Sequence, residues 1–142
     1  MSAPSQQSTP WHLWVVAVLT LVWNGSGAYV IVMAQMGNRL DMDAAEIAYY
    51  AQQPLWFALT TDLASLLALA AAGALLLRRA AAAWLFALSF ATIVANNAYD
   101  LAAGTSLALA SAEWRGVTTA VIVIALLQLA YAWAMKRRGV VR

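Results

Sequence analysis

Apolar residues occupy four long runs with few charges, Trp11 to Gln35, Pro54 to Leu77, Ala80 to Ala102 and Trp114 to Met135, and polar residues mark the joints between them. Each run exceeds twenty residues, enough to cross a hydrocarbon layer about 30 Å thick at about 1.5 Å of rise per residue. The pattern predicts four transmembrane helices. Between the first and second runs, Asp43 and Glu46 stand three residues apart, the spacing of a capping box with Asp in place of Ser or Thr. This predicts a short helix over residues 44–52, with Ile47, Tyr50 and Ala51 lying on the membrane, and Pro54 in the first turn of the second span. The joint at Arg78-Arg79 is so short that spans two and three must form an antiparallel hairpin. Their Ala, Gly and Ser content lets the two backbones approach closely. The expected fold is an all-α integral membrane protein, a four-transmembrane-helix bundle with a short interfacial helix in the first outer loop. A polar tail over residues 1–10, a membrane domain over 11–135 and a basic tail over 136–142 complete the expected organisation.

Composition supports this reading. Of 142 residues, 64% are hydrophobic and 10% charged, more apolar surface than a soluble domain of this size could bury. The spans and their flanks use nearly all of these residues, so a soluble catalytic domain is not expected among them. The absence of cysteine excludes thiol catalysis, disulfides, iron–sulfur clusters and Cys-based zinc sites. Residues 1–10 carry no Lys or Arg, and the first run outlasts a signal-peptide core, so it is expected as a mature helix.

Charge then orients the bundle. Arg78-Arg79 and the group Lys136, Arg137, Arg138 and Arg142 fall on one side of a four-span protein, which the positive-inside rule makes cytoplasmic. Both termini are therefore expected in the cytoplasm. The net charge of +2 reflects this topology and gives no signal for nucleic acid. Trp11, Trp14, Trp84 and Trp133 are expected at the cytoplasmic interface and Trp56 and Trp114 at the outer one, as aromatic belts. Trp23, in mid-span, belongs to neither.

Polar residues inside the spans need partners, because lipid offers none. Asn24 lies near the middle of the first span and Asp62 about two turns into the second. Ser89, Thr92, Asn96 and Asp100, spaced three, four and four residues apart, share one face of the third. Arg115 has a side chain long enough to reach inward from the outer rim, and Thr118 follows it. These groups are expected to converge in the outer half of the bundle. Two readings remain open: a hydrogen-bond network with Arg115 as counter-ion to Asp62, which fixes helix register, or a small outward-facing pocket for a solute, cation or proton. With His12 as the single histidine, a bis-histidine haem or three-histidine metal site is excluded within one chain. Met33, Met36 and Met42 suit packing at the interface. No Ser/His/Asp set or paired-acid motif supports an enzyme, and no cofactor is expected.

The residues Trp23-Asn24 with Gly27-Ala28, the stretch from Ala48-Tyr49 to Pro54-Leu55-Trp56, and the basic C-terminal segment give the chain a resemblance to a family of small four-span bacterial inner-membrane proteins, often labelled "sugar transporter". The family pattern has an acid and an aromatic where this chain has Val30 and Ile31, and an apolar or small residue where it has Asp62. With no enzyme motif the chain is expected to be a non-enzymatic membrane protein, and the resemblance implies a solute-binding or transport component. The alternative is an accessory subunit of a larger membrane complex. Membrane lipids are expected partners in either case, with a homo-oligomer or larger complex, since four helices are few for an alternating-access carrier.

Overall fold

The computed structural model describes residues 9–37, 42–106 and 111–142. Most of the expected polar tail, residues 1–8, lies outside them, as do Arg39 and Asp41. The described residues form five helices in the order α1 (Trp11–Gln35), α2 (Ala44–Gln52), α3 (Leu55–Leu76), α4 (Ala81–Ala103) and α5 (Ala112–Arg137). Four of them, α1, α3, α4 and α5, are long and apolar enough to cross a membrane. The protein is thus a multi-pass membrane bundle with a short helix in its first loop, the architecture expected from the apolar runs.

Local chemistry sets the helix ends. Asp43 Oδ1 accepts from the Glu46 N–H at 2.8 Å while Glu46 Oε2 accepts from the Asp43 N–H at 2.7 Å, so both orphan donors at the start of α2 are satisfied. Pro54 stands as the N-cap of α3 with Leu55 as its first helical residue, one position outside the expected first turn. Its missing N–H costs nothing there. At the end of α4, Gly104 adopts the left-handed conformation (φ 69°) and Thr105 N–H donates back to Asp100 O at 3.2 Å, closing the last turn as a Schellman motif. The same motif ends α3, where Arg79 N–H bonds Ala74 O at 2.7 Å. Its left-handed residue, however, is Arg78 (φ 57°), a conformation that disfavours side chains with a Cβ.

The α3–α4 hairpin forms the closest packing. Ala64, Ala68, Ala71 and Ala72 of α3 and Ala82, Ala83 and Phe86 of α4 are buried, and Ser89 Oγ donates to Ala64 O at 2.8 Å. Such a hydroxyl–backbone bond between helices requires small side chains at the contact. α1 packs on α3 and α5 on α4, and α1 meets α5 through side chains, Asn24 Nδ2 on Gln128 Oε1 at 3.3 Å and His12 Nδ1 with Tyr131 OH at 2.6 Å.

The segment expected as a basic tail over 136–142 is not a tail. Lys136 and Arg137 complete α5, and the chain then turns back so that Val140 and Val141 join Leu13, Leu75, Phe86 and Met135 in the core. The reason is hydrophobic: two valines beside the arginines have an apolar site to fill at the end of the bundle. Arg142 N–H donates to Arg78 O at 2.8 Å, and Ala80 N–H donates to Arg142 O at 2.7 Å. This returning strap fastens the end of α5 to the α3–α4 turn.

Candidate functional site: polar pairs between the helices

The polar residues expected to converge form separate groups. Asn24, in mid-span, donates to Thr20 O at 2.8 Å on its own helix and to Gln128 Oε1 on α5. Asp62, about 10 Å along α3 from its start, accepts from Gln35 Nε2 at 2.8 Å through Oδ1. Asn96, 9% exposed, takes the Thr60 hydroxyl on Oδ1 and gives Nδ2 to Thr61 Oγ1, both at 3.1 Å. Asp100, 7% exposed, accepts from Tyr49 OH at 2.9 Å and Thr105 Oγ1 at 2.7 Å. Ser89, Asn96 and Asp100 are buried on one face of α4, whereas Thr92 is half-buried and bonds back to Leu88 O at 2.9 Å.

Arg115 is exposed and Thr118 half-buried, and neither makes a side-chain hydrogen bond to this network among the described residues. The expected Asp62–Arg115 pair is therefore replaced by Asp62–Gln35. Helix order gives the cause, for α3 packs on α1 and α4 while α5 leans on α4, which turns Asp62 toward α1. Thr60, Thr61, Gln35, Gln128, Tyr49 and Thr105 complete the pairs. Of these, Thr60-Thr61 beside Asp62 carried a readable signal, as adjacent hydroxyls in an apolar run. The long-range partners did not.

Around Asp100, α2, α3 and α4 leave a small open cavity of about 40 Å³, bordered by Tyr49, Gln53, Phe57, Tyr99, Asp100 and Thr105. It has room for a few water molecules and is several times smaller than sites that enclose small organic ligands. Tyr49, on the loop helix, has its hydroxyl pushed far above the ordinary tyrosine value, first by burial and then by the Asp100 carboxylate. It therefore stays protonated and donates to Asp100. Tyr50 is also raised, by burial and then by Glu46. Among the described residues no three His, Asp or Glu side chains gather as metal ligands would.

No protein-family model matches the chain, and no curated protein or solved structure matches it either.

Proposed function

We propose that the protein is a non-enzymatic component of a bacterial inner membrane, with both termini cytoplasmic, that serves as an accessory subunit packing laterally against other membrane-embedded protein. The observation that carries this reading is the bareness of α1 and α5. Only 11% of their most apolar stretches is buried, against 28% in α3 and α4, and Trp23 is 43% exposed in the middle of α1. An indole belongs at the membrane interface. At mid-depth its N–H has no acceptor among the described residues, so a neighbouring protein is its natural cover. The polar pairs support the same reading, since each ties one element to another and fixes register.

The test is purification in a mild detergent or native nanodiscs followed by native mass spectrometry. A discrete assembly heavier than the monomer is expected, and Trp23→Ala should weaken it without lowering monomer melting. A monomer that carries a bound small solute would instead support a solute-binding or transport role, the reading tied to the resemblance to small four-span proteins. Asp62 favours that second reading, because its half-buried carboxylate meets a neutral amide, and among the described residues no cation.

A further inference from the structure

One end of the bundle gathers positive charge with no Asp or Glu beside it among the described residues. It carries Arg78 and Arg79 in the α3–α4 turn, Lys136, Arg137 and Arg138 at the end of α5, and Arg142 on the strap. These are six of the chain's eight Lys and Arg residues, and the described residues nearest this end, 9–20, 70–90 and 128–142, contain no Asp or Glu.

The strap fixes the backbone of Arg142 against the α3–α4 turn. The two backbone bonds of Arg142, to residues 78 and 80, set it beside Arg79. Arg78 is committed to the strap through Nε–H to Val140 O at 3.2 Å, which leaves Arg79, Arg137, Arg138 and Arg142 exposed. Lys136 lies over two indoles, 4.6 Å from the Trp84 ring centre and 5.0 Å from that of Trp133. Those rings, with exposed Trp11 and Trp14, mark this rim as the level of lipid headgroups.

We propose that Arg79 and Arg142, set side by side by the strap, together with Arg138 at the head of the strap, form a binding site for the phosphate of an anionic phospholipid. Guanidinium forks match phosphate oxygens in shape and charge. Anchoring by Val140 and Val141 lowers the ordering cost of bringing the arginines together. A free phosphate offers the same headgroup chemistry, but lacks acyl chains to lie along exposed apolar residues such as Leu77, next to Arg78. That difference favours the lipid.

The test uses the full chain in a neutral detergent, read by melting temperature and by native mass spectrometry. The added probes are phosphatidylglycerol, phosphatidylcholine, inorganic phosphate and polyglutamate. Phosphatidylglycerol should raise melting and remain bound, with affinity that falls as salt rises, while phosphatidylcholine and phosphate should do neither. R79Q/R138Q/R142Q should weaken phosphatidylglycerol binding at least about tenfold, whereas R115Q, at the other end, should bind as the parent does. If the triple variant melts early, R142Q alone keeps both backbone bonds and should lose about fivefold. Parent-like affinity in both arginine variants would overturn the proposal. So would equal binding of phosphatidylcholine, an equal response to phosphate alone, or tighter binding of polyglutamate, which would point to an acidic protein partner.

Discussion

At the scale of the residue, the neutrality of Gln35 decides what Asp62 contributes. Removing one member of a buried ion pair costs about 3–5 kcal/mol because the other charge is stranded, and a link to Arg115 would carry that penalty. Asp62 instead accepts from an amide at 2.8 Å. Asp62→Asn keeps an acceptor oxygen, so the loss should be on the order of 1 kcal/mol, the difference between a charged and a neutral hydrogen bond. Arg115→Gln, at an exposed side chain, should change little. In a double-mutant cycle followed by unfolding in detergent, the two effects should add to within about 0.5 kcal/mol. Coupling well above that would mean that the carboxylate and guanidinium meet after all. The sequence showed that Asp62 needed a partner but not which one. An acid in an apolar run draws attention to the nearest cation, whereas Gln35 sits at a helix end, where a polar residue needs no explanation. Asn96 differs, because its spacing, seven residues after Ser89 and four before Asp100, already placed it on the buried face of α4.

Among the elements, α2 depends most on a single long-range bond. Its capping box is local and could be read from Asp43 and Glu46, but its anchorage to α4 joins residues 51 positions apart and could not. Tyr49→Phe removes a donor to the buried Asp100 and leaves an acceptor short of a partner, a loss of about 1–3 kcal/mol. It should appear as faster amide exchange throughout α2, with α3 and α4 unchanged, and uniform exchange in both proteins would count against the anchor. The pH dependence has a definite sign. The Tyr49 hydroxyl is raised above its ordinary value of 10.0 by burial and then by Asp100, so its contribution is complete below about pH 10 and is lost only as pH rises past the raised value. In a tyrosinate absorbance titration the latest component should therefore vanish in Tyr49→Phe. The α3–α4 turn makes a similar point. Arg78 occupies a left-handed position where Gly is usual, and its bond to Val140 O offsets a strain of about 1–2 kcal/mol. Arg78→Ala keeps the strain and loses the bond, so it should melt below Arg78→Gly, which loses both.

For the whole molecule, the spans were legible because hydrocarbon thickness dictates their length. The expected first span coincides with α1, and the other three differ from α3, α4 and α5 by no more than two residues at either end. Neighbour order and the strap were not legible, since both arise from contacts between distant segments of similar composition. Orientation rests on charge alone. The α3–α4 turn and α2 lie at opposite ends of α3, and six cations sit at the turn end with no Asp or Glu beside them among the described residues, so the positive-inside rule predicts a cytoplasmic turn. Exposed Ala45 and Ala81 provide probes at the two ends that leave every charge in place. In a chain with no native cysteine, Ala45→Cys should react in intact cells with an impermeant thiol reagent, and Ala81→Cys only after the membrane is opened. The reverse pattern would turn the bundle over and place the arginine rim on the outer face. Labelling of both positions in intact cells would break the four-span topology itself, because an odd number of crossings would then separate two sites that share a side.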